Sequence, residues 1–146
     1  MIAQSNLQQG EFIFPQGIAG FQDAHRFGFI YEGHGDMTCM QCIDHPEAAF
    51  ILTPWDTERL QSPPTLSEDH LTCLQGSSQA PVDYAHLMWM LVLNPFADQQ
   101  WVTANLKAPI ILNLETRRGI QYIRHNTGLN LRFPWAPQPQ LAASSA

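Results

Sequence analysis

The residues with the widest chemical range in this chain are Cys39, Cys42 and His45, spaced as C-x-x-C-x-x-H. Thiolate and imidazole are soft ligands that suit zinc, and this spacing gathers three of them in one short stretch. The surrounding pattern works against such a site. Met37 to Ile43 reads as a strand, and side chains an odd number of positions apart on a strand leave from opposite faces. No fourth ligand is evident, because Cys73 falls on a predicted helix. As a redox pair, Cys39 and Cys42 lack the helix N-terminus that lowers a thiol pKa. An odd count of three cysteines is a poor disulfide framework and reads as small core residues in a reducing compartment. A metal- or ligand-binding barrel using Cys39, Cys42 and His45 therefore stands only as the alternative function, and no cofactor is expected.

Catalytic patterns are missing elsewhere. His25, His34, His45, His70, His86 and His125 are scattered, and no G-x-S-x-G, H-E-x-x-H or Gly-rich phosphate loop occurs. Asp23 with His25, and Asp44 with His45, are pairings too common to name an acid–base couple. The chain is not expected to be an enzyme.

The most unusual segment is TANLKAPIILN, Thr103 to Asn113. Polar Asn105 and Lys107 alternate with Leu106 and Ala108, and Pro109 then precedes an apolar run. Locally this predicts a loop entering a strand over Ile110–Leu112, with the Asn105 side chain bonding backbone to fix the turn. The same features could offer a rigid polar edge to a partner protein. Asn105, Lys107, Pro109 and Asn113 are the candidate contacts on that reading.

The elements that must hold these residues are mostly strands. Phe27 to Tyr31 alternates large apolar residues with Gly28 and Ile30, as a strand with one buried face does. The turn-rich stretch Gly33–Asp36 joins it to Met37–Ile43, which makes a hairpin. Ala48 to Leu52 is a further strand, stopped at Pro54 because proline has no backbone donor for the ladder. After the Pro63–Pro64 breaker, Ser67 predicts an N-cap with Glu68 and Asp69 in the first turn. Leu71 and Leu74 share one face of this short helix, and Gly76 ends it. His86 to Leu93, HLMWMLVL, is almost wholly apolar and fits a strand covered on both faces. Gly119 to Arg124 is the last predicted strand. Many short strands with one small helix give an all-β class, a small antiparallel β-barrel-like domain over residues 1–134. Residues 135–146 continue a Pro-, Ala- and Ser-rich stretch expected to be a disordered tail.

Size and charge narrow the function classes. A chain of 146 residues suits one domain, and its apolar fraction of 45 % supplies a core. No run of 18 apolar residues exists to span a membrane as a helix, and MIAQSNLQQGEF lacks the pattern of a signal peptide, so a cytoplasmic location is expected. The net charge of −6 is unevenly spread. Residues 1–100 hold twelve acids against Arg26 and Arg59, a balance of −10. Residues 101–146 hold Glu115 against Lys107, Arg117, Arg118, Arg124 and Arg132, a balance of +4. An acidic body repels a phosphate backbone and favours encounter with a basic protein, so no direct nucleic-acid binding is expected.

Four segments, in order, resemble the flagellar assembly factor FliW family. FPQGIAGF (Phe14–Phe21) is similar to that family's Phe-x-x-Gly-Leu-Pro-Gly-Phe segment, and MQCIDHPEAAFILTP (Met40–Pro54) to its strand–loop–strand. TANLKAPIILN matches its Asn-Leu-Lys-Ala-Pro-Ile-x-x-Asn core, and RRGIQYI (Arg117–Ile123) its Arg-x-Gly-x-Gln segment. The likeness runs from about Glu11 to Pro134. Ala19 stands where the family usually has proline, Leu129 near where tyrosine is common, and Trp55–Ala85 matches poorly. The resemblance implies a small antiparallel β-barrel-like fold and two protein partners. One is flagellin, and the other is CsrA, an RNA-binding repressor of flagellin translation. A monomer that exchanges between them is the expectation.

Overall fold

A computed structural model of the chain describes residues 10–31, 37–96, 100–125 and 128–138. Among the described residues eight strands follow in chain order: β1 (Phe12–Ile13), β2 (Arg26–Tyr31), β3 (Thr38–Cys42), β4 (Ala49–Pro54), β5 (Leu87–Asn94), β6 (Trp101–Asn113), β7 (Arg118–Gln121) and β8 (Phe133–Pro137). Two helices, α1 (Thr57–Leu60) and α2 (Glu68–Gln75), lie between β4 and β5. The sheet runs β5-β4-β3-β2-β1-β7-β6 and closes on itself through β5 and β6, with β8 added on β6. The result is a closed seven-stranded barrel. All pairings are antiparallel except the short parallel contact of β1 with β7.

Alternation decides which side chains fill the barrel. Phe27 and Phe29 of β2, and Thr38, Met40 and Cys42 of β3, point inward, while Ile30 lies half exposed outside. Phe12, Phe14, Leu52, Met90, Ile110 and Leu112 complete this interior. Edge-to-face pairs, Phe12 with Phe29 at 5.5 Å and Phe14 with Phe27 at 5.0 Å, order the aromatic part of it. Two further apolar layers cover the outside of β5, β6 and β7. Leu74 of α2 packs with Leu66, Leu87, Ile111 and Ile120. Leu91, Leu93, Val102, Ala104 and Leu106 pack beneath Trp55, Leu60, Phe133 and Trp135. The apolar run Leu87–Leu93 follows from this. Met90 faces the barrel interior and Leu91 the outer layer, and both are fully buried.

Several boundaries differ from those the sequence predicts. The strand expected over Ile110–Leu112 is the end of a 13-residue strand beginning at Trp101, so the loop expected over Thr103–Pro109 is strand and arch. Strand β4 extends to Pro54, which pairs with Met90 as its last residue. Strand β7 ends at Gln121, although residues up to Arg124 stay tied to β6. Helix α1, capped by the Asp56 carboxylate at 3.0 and 3.3 Å, adds to the single helix expected. Strand β8 continues to Pro137, and residues 139–146 of the expected tail lie outside the described residues, as does the Gly33–Asp36 turn.

Candidate functional site

The centre of the TANLKAPIILN segment is an arch in β6. Met90 faces Ile110 and Val92 faces Asn105, so residues 106–109 stand opposite Leu91 alone. Such a bulge bends its strand and frees it from the ladder. Proline at 109 is tolerated because it lies inside the arch, where no ladder donor is required. The Asn105 carboxamide accepts from the Lys107 N–H at 2.8 Å, the local turn-fixing bond expected of it.

The arch sits at a junction. On one edge of β6, β8 pairs with residues 101–104 and β7 with residues 110–113. Between them the arch is braced by irregular chain. Tyr122 N–H donates to Pro109 O at 2.8 Å, Arg124 N–H to Lys107 O at 2.6 Å, and Leu106 N–H to Asn130 O at 2.9 Å. The Arg124 guanidinium reaches Leu106 O at 3.4 Å. Four backbone groups of a non-ladder segment are thereby satisfied, which is what a half-buried arch requires.

Of the four candidate contacts, Asn105 and Lys107 are half-buried at this arch, whereas Pro109 is buried and Asn113 is 1 % exposed. Asn113 therefore has no side-chain surface to offer a partner. Its amide donates to Leu74 O at 3.0 Å, and its oxygen accepts from the N–H groups of Glu115 and Thr116. Thr116 Oγ1 donates to the same Leu74 carbonyl at 2.6 Å, and Arg118 Nε to Cys73 O at 2.5 Å. The carbonyls that α2 leaves unpaired at its C-terminus are thus capped from the β6–β7 turn, with a cation on the favourable end of the helix. At the other end, Ser67 and His70 form a reciprocal capping box.

The first and last motifs form one unit. Phe14 begins the loop leading to Phe21, in which Gly17 has a φ of +68° and leaves no room for a Cβ beside the Gln22 carbonyl. The Ala19 N–H donates to Gln121 Oε1 at 2.8 Å, and Ile13 N–H donates to Arg117 O at 2.9 Å. The Arg117 guanidinium lies 4.0 Å from the Phe12 ring centroid, and partial burial lowers its pKa. At the start of β1, Glu11 accepts two bonds from Arg26 at 2.9 and 2.7 Å. These bonds lower the Glu11 pKa and raise that of Arg26, which also lies 3.5 Å from Asp44.

The cysteine cluster does not assemble. Cys42 faces the core at 1 % exposure, while Cys39 belongs to the opposite face of β3 and His45 lies 3.5 Å from Glu47. None of the three cysteines is in a disulfide. Among the described residues, no three of His, Cys, Asp and Glu are grouped to hold a metal ion. His25 Nδ1 bonds the Phe14 carbonyl at 2.8 Å.

The sequence reading passed over Arg59. Its guanidinium donates to the carbonyls of Trp135 and Pro134 at 3.0 and 3.1 Å and lies 4.0 Å from the Trp135 ring centroid. Around the arch, Arg124 and Arg132 are signalled only by the excess of bases beyond residue 100, and Asn130 by nothing local.

A family model described as "FliW protein" matches residues 2–135. A flagellar assembly factor FliW of Caldanaerobacter subterraneus subsp. tengcongensis is 32 % identical over 139 residues, covering 91 % of this chain and 87 % of that protein. Another, of Anoxybacillus flavithermus, is 32 % identical over 127 residues, covering 86 % and 83 % respectively. The barrel is also similar to a crystal structure of the flagellar assembly factor FliW, with a TM-score of 0.69 at 23 % identity. That likeness covers 92 % of this chain and 89 % of that one.

Proposed function

The chain belongs to the FliW family of flagellar assembly factors, and from that membership we propose that it is a non-catalytic regulator exchanging between two proteins. The partners are flagellin and the RNA-binding translational repressor CsrA, and the exchange takes place in the cytoplasm. While flagellin occupies this protein, CsrA is free to repress flagellin translation. Once flagellin is exported, the released protein captures CsrA and relieves the repression.

The observation that carries this reading is the family match over residues 2–135. The charge distribution suits it, since a basic RNA-binding protein is steered toward an acidic surface. Asp23, Asp44, Glu47, Glu58, Glu68 and Asp69 are all exposed. Among the described residues no helix is long and apolar enough to cross a membrane.

Calorimetric titration of the full chain with purified CsrA, and separately with flagellin, tests the proposal. The expected result is saturable binding of each, with CsrA affinity falling as salt rises and flagellin lowering CsrA capture. Absence of both complexes at low salt would overturn it.

A further inference from the structure

The five bases beyond residue 100 divide into two groups. Arg117 lies over the Phe12 ring, and Arg118 caps α2 through Cys73 O. Lys107, Arg124 and Arg132 instead surround the β6 arch. Lys107 is in the arch, and Arg124 bonds it through both backbone and side chain. Arg132 N–H donates to Asn130 Oδ1 at 2.8 Å, and Asn130 O in turn holds Leu106 N–H. Among the described residues none of these three cations has a carboxylate partner. The carboxylate contacts there involve Arg26, His45 and His86.

Two exposed aliphatic side chains adjoin these cations in the chain. Ile123 precedes Arg124 and is 48 % exposed, and Leu131 precedes Arg132 and is 56 % exposed. On a chain of net charge −6, three cations without carboxylate partners lie on segments whose backbones are tied to one arch, with exposed aliphatics next to them in sequence. The backbone beneath is held by the bonds to Asn105, Asn130, Tyr122 and Arg124, so little ordering is needed on binding.

We propose that this corner, the 106–109 arch with its braces at 122–125 and 128–132, docks a protein segment carrying carboxylates and aliphatic side chains. Charge complementarity selects the carboxylates, and Ile123 and Leu131 supply the apolar contact. A nucleic acid fits less well. Three cations make a short track, and the acidic remainder of the chain repels phosphate. This surface goes beyond the partner exchange proposed above and does not depend on it.

The test uses a short synthetic peptide of Glu-Glu-Leu repeats, fluorescently labelled and titrated with the full chain by anisotropy. Saturable binding at low salt, weakening toward about 0.3 M salt, is expected. The peptide with lysine in place of glutamate should not bind. The double variant K107Q/R132Q should weaken binding about tenfold, the combined effect of two exposed ion pairs. Q79E/A80E makes the same change in net charge on the exposed loop after α2 and should leave binding unchanged. Matching thermal melts show that both variants fold. No saturable binding, equal weakening by the two variants, or tighter binding of a single-stranded RNA of similar length would each overturn the proposal.

Discussion

The ring of Phe14 lies so close over the α carbon of Gly119 that a Cβ there would stand 2.5 Å from Phe14 Cζ. Phe14 is fully buried and begins the first family-like motif, while Gly119 lies in the last, 105 positions along the chain. The parallel β1–β7 contact and the Ala19–Gln121 bond join the same two motifs. Together these contacts seat one aromatic ring in the barrel at the parallel β1–β7 junction.

Gly119→Ala is expected to destabilise the protein by about 1–3 kcal/mol, the usual cost of forcing a methyl group into a packed core. Urea unfolding measures it. Phe14→Leu in the Gly119→Ala background should cost less than Phe14→Leu alone, because the overlap is then relieved. Additive losses would show that the two positions are not coupled.

The two asparagines of the TANLKAPIILN segment should behave differently. Asn105→Ala removes one turn bond at a half-buried position and should cost about 1 kcal/mol. Asn113→Ala removes three bonds at a buried site and opens the C-terminal cap of α2, for about 2–4 kcal/mol. Hydrogen exchange should show α2 losing protection in the second variant and not in the first. The reverse order of stabilities would contradict the assigned roles.

Arg59 clasps β8 to the barrel through two carbonyls and the Trp135 ring. Arg59→Ala should cost about 1–2 kcal/mol and increase protease cleavage within Phe133–Pro137. Lysine keeps the charge but not the planar fork, so Arg59→Lys should fall between the two. Cleavage unchanged in both variants would exclude the clasp.

The Glu11–Arg26 pair should leave an acid signature. Bonds from Arg26 lower the Glu11 pKa in the folded chain, so the pair's contribution is fully present above the ordinary glutamate range. It is lost as pH falls through the lowered value. Glu11→Gln should therefore lower Tm at neutral pH, with the gap to the parent closing on acidification. A gap independent of pH would mean that the ionised Glu11–Arg26 pair is not its source.

Local patterns were legible without coordinates. The alternation of Phe27, Phe29 and Tyr31 predicted a strand, the Ser67–Gly76 punctuation a helix, and the unbroken apolar run to Leu93 a strand covered on both faces. Asn105 and the residues after it signalled a turn fixed by its side chain. Even the separation of Cys39 from Cys42 followed from strand geometry. These properties depend on side-chain period and short-range hydrogen bonding, which act between residues a few positions apart.

Only the tertiary structure decided what depends on long-range closure. Proline 109 reads as a strand breaker until β5 is placed beside it, and then the same residue lies in an arch within one long strand. Asn113 reads as a polar strand end, yet it becomes a buried cap once the Leu74 carbonyl, 39 positions away, is brought to it. Arg59, Arg124 and Arg132 carry no local pattern at all. Composition records that the bases crowd beyond residue 100, but hydrogen bonds from two distant segments to Leu106–Pro109 decide which of them are brought to the arch.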